Sequence, residues 1–178
     1  MAKKGILITG GTGLVGAYAT WMLLERGERP VIFDVALNER LLNAVGVDAG
    51  KVTMIRGDML DLPALISAIR DNDCDRIIHL AAFLGEEVQR RPYSGVRLNF
   101  MGTVNVFEAA RLEKVSRVLF PSSGTVYLGS IGEGLKQIDE SIPMNPPSVY
   151  AATKASCEFM GRAYAKRYGF EFICLRYV

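Results

Sequence analysis

The sequence predicts an α/β domain built on a doubly wound parallel sheet with helices on both faces. Three observations carry that prediction. Short apolar runs alternate with longer stretches of helical periodicity, a glycine-rich turn separates the first run from its helix, and 178 residues suffice for one well-buried core but are short for two.

Taken in order, "GILIT" (Gly5 to Thr9) reads as a fully buried first strand, and Gly13 to Gly27 as a helix closed by a glycine where a C-terminal cap belongs. "PVIFD" (Pro30 to Asp34) is the second strand, a weaker helix lies near Ala36 to Val45, and "KVTMIRGD" (Lys51 to Asp58) supplies the third strand. "LPALISAIRDN" repeats apolar residues at helical spacing and leads into a fourth strand, Asp75 to Ala82. A long helix is predicted over Pro92 to Glu113, and a fifth strand over Ser116 to Ser123. The stretch from Gly124 to Pro147 reads as a long loop, which in a compact domain marks an active-site or mobile segment. The last helix runs from Ser148, an N-cap candidate, to Arg167 with Gly169 as its stop, and "FEFICLRYV" (Phe170 to Val178) is a sixth strand.

Composition removes several function classes. The chain is 49% hydrophobic without any apolar run approaching the roughly 20 residues that cross a bilayer, so membrane insertion is not expected. Two lysines precede only a brief apolar run before glycines interrupt it, which does not make a signal peptide, and a cytoplasmic protein is expected. A net charge of +2 arises from interspersed signs, with no basic block for a nucleic-acid partner. Cys74, Cys157 and Cys174 lack metal-ligand spacing, and His79 is the single histidine, so no metal site is expected and the thiols read as reduced and packed.

A parallel sheet of this kind binds ligands outside the carboxyl ends of its strands, so the glycine turn, Asp34, Asp58, the "HLAA" turn and Ser123 converge on one rim. "TGGTGLVG" places Gly10, Gly13 and Gly16 between the first strand and its helix. Such glycines give a tight turn, room for a pyrophosphate near the backbone, and close packing of helix on strand. Asp34 follows 18 residues beyond Gly16, at the end of the second strand. A carboxylate there accepts hydrogen bonds from the adenosine ribose hydroxyls and repels a 2′-phosphate, which favours NAD over NADP; the other readings are a solvated strand-end acid, and a phosphorylated cofactor held by Arg40. Asp58 either binds the adenine amino group or caps the next helix.

"TGGTGLVG", "GDMLD", "HLAA", "PSSGTVY" and "YAATK", in this order, resemble the extended short-chain dehydrogenase/reductase superfamily, in particular its NAD-dependent epimerase/dehydratase branch. The resemblance implies a Rossmann fold with cofactor contacts at Gly10, Gly13, Gly16, Asp34, Asp58, Met59, Ala81, Ala82, Asn99 and Lys154. It also implies catalytic roles for Ser123, Tyr150 and Lys154, and those roles have a physical basis. A phenol with a pKa near 10 is a poor base at neutral pH until nearby positive charge stabilises its anion. Lys154, one helical turn from Tyr150, and an oxidised nicotinamide are expected to supply that charge, while Ser123 orients the substrate oxygen. Ser122 is the rival for the serine role. Taken without the glycine turn, Tyr150 and Lys154 would read as a half-buried aromatic beside a surface amine. His79 reads as a strand-end residue packed under the cofactor.

Dehydratases of the branch carry an acid pair directly after the serine or threonine; here Gly124 and Thr125 stand there, which disfavours dehydration. The readings left are an epimerase acting on a nucleotide-sugar hydroxyl, a short-chain L-threonine dehydrogenase, and a non-catalytic NAD-binding or sensing module. Family members continue far past "LRY" into a substrate-binding domain. Residues 1–178 are therefore expected to form a single NAD-binding domain without that part, with weak or absent turnover. The resemblance further implies a homodimer through the Asn99 to Glu113 and Ser148 to Arg167 helices.

Overall fold

The computed structural model of the chain describes residues 3–130 and 138–177. The first two residues, Val178 and the middle of the predicted loop, 131–137, lie outside the described residues. Six strands form one parallel sheet: β1 (Gly5–Thr9), β2 (Arg29–Asp34), β3 (Thr53–Arg56), β4 (Cys74–His79), β5 (Arg117–Ser123) and β6 (Glu171–Tyr177). Their order is β3-β2-β1-β4-β5-β6, so the predicted doubly wound Rossmann fold is present. The winding reverses between β1 and β4, and the connections leaving these two strands part to open a crevice at their carboxyl ends.

Both faces of the sheet are covered. Helices α1 (Leu14–Glu25) and α2 (Arg40–Ala44) pack on one side, where Ala17 and Leu42 meet Ile32. On the other side lie α3 (Leu62–Asp71) and a long helical run. That run comprises α4 (Gly85–Arg90), α5 (Pro92–Val96), a π-helical turn (Arg97–Gly102) and α6 (Thr103–Leu112). The last helix, α7 (Val149–Tyr168), packs beside α6. The larger core gathers Leu7, Val31, Phe33, Ile77 and Val118 from the strands with Leu65, Ile69, Val106 and Phe107 from the helices. Each such side chain contributes about 1.5–3 kcal/mol through its removal from water. Among the described residues no helix is long and apolar enough to cross a membrane.

Element ends shift by a few residues throughout, and three differences from the sequence reading bear on the site. Strand β4 stops at His79 rather than Ala82: the Leu80 amide makes the last ladder bond, to the Thr9 carbonyl at 3.0 Å, and the Ala81 amide turns instead to the Thr9 hydroxyl at 3.3 Å. Helix α4 was not predicted: six residues with Val88 as their one buried side chain are too few to show periodicity. The predicted loop opens with a 3₁₀ segment, Gly124–Ser130, whose Val126 and Tyr127 are buried. Its far end returns to that segment, where the Asn145 amide donates to the Val126 carbonyl at 2.8 Å.

Candidate active site

The glycine turn is built by close approach. Gly10 holds φ +68°, and a β-carbon there would lie 2.8 Å from the Ala81 amide nitrogen. A β-carbon on Gly16 would lie 2.6 Å from the Gly10 carbonyl oxygen and the Gly11 Cα, so helix and strand meet only because neither position carries a side chain. Gly13 is the N-cap of α1 and no side chain caps that end. The first-turn amides of a helix have no intrahelical acceptor, and here no capping group competes with a phosphate for them.

Beside the turn runs a cleft of about 610 Å³. Gly10, Gly13, Asp34, Asp58, Met59, Ala81 and Ala82 line it, as the sequence reading expects, and Gly16 packs beneath. Asp34 is oriented by the turn itself: its Oδ2 accepts from the Thr12 amide at 3.1 Å and the Thr12 hydroxyl at 2.7 Å, and its Oδ1 from the Ala36 amide at 3.3 Å. A carboxylate has roughly four acceptor directions, so about one stays open for a ribose hydroxyl. Asp58 does not cap α3; Asp61 does, accepting from Ala64 at 3.0 Å, while Asp58 closes a local turn with Leu60 at 2.9 Å. Met59 is buried, and its carbonyl accepts from the Asn105 side chain at 2.9 Å.

Asn99 stands behind the cleft wall. Its carboxamide accepts from the Phe83 amide at 2.8 Å and donates to the Phe83 carbonyl at 2.9 Å, holding the end of the "HLAAF" turn. The residues that sequence reasoning missed are Thr12, which aims Asp34, and Arg97, which lines the cleft from the π-helical turn. Thr12 had a visible signal, a lone hydroxyl within the glycine run. Arg97 had none, since a π turn inside a helical pattern leaves no mark on periodicity.

The second half of the site lies where the wall turns into α4. The Tyr150 ring passes 3.8 Å from the point a β-carbon on Gly85 would occupy. The Ser148 hydroxyl caps α7 by accepting from the Ala151 amide at 3.2 Å, which sets Tyr150 in its first turn. Ser123, at the carboxyl end of β5, accepts from the Thr125 amide at 3.2 Å and the Thr125 hydroxyl at 3.0 Å, and its hydroxyl also approaches the Tyr150 phenol. Ser122 faces the other way, toward Glu158 and Cys174. The Lys154 ammonium is buried, donates to the Pro121 carbonyl at 2.7 Å, and sits 5.8 Å from the Tyr150 ring centroid.

Electrostatics inside the protein run against a ready-made base. Burial raises the Tyr150 phenol above its ordinary value, and the Ser123 contact offsets only part of that rise. Burial also pulls Lys154 down to about 8. The lysine therefore does not by itself produce the lowered phenol that the sequence reading attributes to it jointly with a nicotinamide. His79 is buried, and desolvation followed by the nearby Lys154 charge takes it down to about 3.

A turn whose close packing tolerates no β-carbon, opening onto an uncapped helix and followed by an oriented acid, fits a dinucleotide diphosphate. The profile of the NAD dependent epimerase/dehydratase family matches residues 6–178. The chain belongs to this family. NAD is the family's cofactor, and the cradle suits it.

A UDP-glucose 4-epimerase of Halalkalibacterium halodurans is 30% identical over 174 residues, 97% of this chain and 49% of the relative. The structure of Thermus thermophilus UDP-glucose 4-epimerase in complex with NAD superposes with a TM-score of 0.86 at 30% identity, covering 97% of this chain and 54% of that one. An L-threonine dehydrogenase from Cupriavidus necator, in its holo form, superposes at 0.84 with 25% identity, over 97% of this chain and 54% of that one. The family member thus spans about half the length of the curated relatives it matches.

Proposed function

We propose that this family member is an NAD-binding domain whose Tyr150 removes the proton from a hydroxyl of a nucleotide sugar during epimerisation. The observation that carries the reading is the meeting of Tyr150, Ser123 and Lys154 beside Gly85, next to the Ala81–Phe83 wall that lines the glycine cleft. When bound, oxidised NAD supplies the hydride acceptor. Ser123 holds the substrate oxygen, and Tyr150 takes its proton and later returns it. Lys154, fixed to the Pro121 carbonyl, places an ammonium beneath the phenol. Because burial raises the phenol, the anion forms only with added positive charge at the cleft.

The substrate and the larger assembly belong to the same proposal. Residues 1–178 act as one cofactor domain, and the nucleotide moiety is held by polypeptide outside it. Two copies associate through the long helical run and α7, whose Met101 and Phe159 are exposed at 45% and 60%. The resemblance to an L-threonine dehydrogenase structure supports a second reading, in which the same three residues oxidise the threonine hydroxyl.

The test is NADH formation, or sugar interconversion, with UDP-glucose and with L-threonine, alongside calorimetric NAD binding. Turnover on the sugar that Tyr150→Phe abolishes supports the epimerase, and turnover on threonine alone supports the second reading. NAD binding without turnover on either substrate makes this a non-catalytic module. Absence of NAD binding overturns the cofactor role itself.

A further inference from the structure

The buried ring of His79 lies between two hydroxyls, and counting protons fixes which nitrogen carries hydrogen. Thr9 Oγ1 stands 2.7 Å from Nδ1, and Thr103 Oγ1 stands 2.9 Å from Nε2. The Thr103 hydroxyl donates to the Asn99 carbonyl at 2.6 Å, so its single proton is committed and it must accept from Nε2–H. The Ala81 amide donates to Thr9 Oγ1 at 3.3 Å, which leaves the Thr9 proton free to go to Nδ1. One directed chain results: Ala81 N–H to Thr9, Thr9 to His79, His79 to Thr103, Thr103 to the Asn99 carbonyl. The opposite tautomer strands the Thr9 proton, and a charged ring strands it too, beside the Lys154 ammonium and against the Phe120 ring stacked at 6.0 Å.

Both ends of this chain reach the cleft wall. At one end Thr9 fixes the Ala81 amide, against which Gly10 packs. At the other, Thr103 anchors the backbone of Asn99, whose side chain clamps both backbone groups of Phe83. We propose that His79, as its neutral Nε2–H tautomer, is a positioning residue that sets the Ala81–Phe83 wall for the cofactor. The inference rests on the NAD reading above. Thr9 and Thr103 are its two hands, and the histidine exchanges no proton in the reaction.

The only histidine in the chain makes the test direct. Nitrogen-15 spectra of the wild-type protein are expected to show a protonated Nε2 and a bare Nδ1, unchanged from about pH 5 to about pH 8, where a free imidazole titrates. Thr103→Val is expected to weaken NAD binding about tenfold in calorimetry, corresponding to about 1.4 kcal/mol, while Thr103→Ser restores wild-type affinity to within about twofold. A ring that titrates near neutral pH, or carries its proton on Nδ1, overturns the inference. So does a folded Thr103→Val variant that binds NAD like wild type. A wild-type protein that shows the expected spectrum yet fails to bind NAD overturns the cofactor reading instead, and with it the purpose assigned to the wall.

Discussion

Tyr150 sits under opposing influences, and their balance sets its chemistry. Burial disfavours the phenolate, the Ser123 contact favours it, and the first outweighs the second. On the proposed reading, Tyr150→Phe removes the acid–base group but keeps the ring beside Gly85, so hydride transfer is expected to fall about 10²–10⁴-fold with NAD affinity unchanged, as stopped-flow and calorimetry would read. Lys154 gives a pH signature. Its pKa in the fold is about 8 against 10.5 ordinarily, so between those values the unfolded chain binds more protons than the folded one. Stability attributable to this lysine therefore rises with pH across that window. The difference in unfolding free energy between wild type and Lys154→Met should shift in favour of wild type from pH 8 to pH 10, measured by urea denaturation. Ser123, Tyr150 and Lys154 were singled out through the glycine turn and the motif resemblance, since spacing alone would read Tyr150 and Lys154 as an aromatic beside a surface amine. Their electrostatic state was not legible, because desolvation depends on what packs around a side chain and not on its neighbours in sequence.

At the scale of elements, the glycine turn and α7 show what sequence can and cannot convey. Gly16→Ala puts a β-carbon against the backbone of Gly10 and Gly11, which cannot yield as a flexible side chain would. It is expected to abolish measurable NAD binding and lower stability by about 1–3 kcal/mol, whereas Gly13→Ala meets only the Gly10 oxygen at 3.3 Å and should be milder in both assays. Both ends of α7 were readable, with Ser148 as its cap and Gly169 in the left-handed region at its close. Below Lys154 on the same face lies Glu158, whose side chain is 2% exposed and takes Arg176 of β6 at 2.7, 3.0 and 3.2 Å; Arg176 also donates to the Tyr127 hydroxyl. Burial pushes the Glu158 carboxyl up, but Arg176 with the Ser122 and Cys174 side chains together outweigh it and the net shift is downward. Glu158→Ala leaves that arginine unpaired and should cost about 3 kcal/mol in chemical denaturation. No local pattern announced this pair, since its members come from different elements and meet only in the folded chain.

For the whole molecule the doubly wound parallel sheet was predictable, because alternating strands and helices admit few right-handed windings, whereas the order of its strands came from the structure. The π-helical turn and α4 were not predictable, since each departs from a simple period over only a few residues. A ligand that binds the native state alone stabilises it by mass action. NAD at a hundred times its dissociation constant should thus add about 2.7 kcal/mol, read as a raised melting temperature. NADP should add far less, because its 2′-phosphate meets the Asp34 carboxylate held by Thr12.

The contact of Gly10 with Ala81 joins two strands that are neighbours in space and distant along the chain. A nascent or refolding polypeptide that has paired only β1, β2 and β3 possesses the glycines but no wall, and hence no affinity for a dinucleotide. Ligand capture then reports the moment at which the fourth strand docks. During refolding from denaturant, the appearance of binding competence should lag behind early helix formation and coincide with closure of the central sheet.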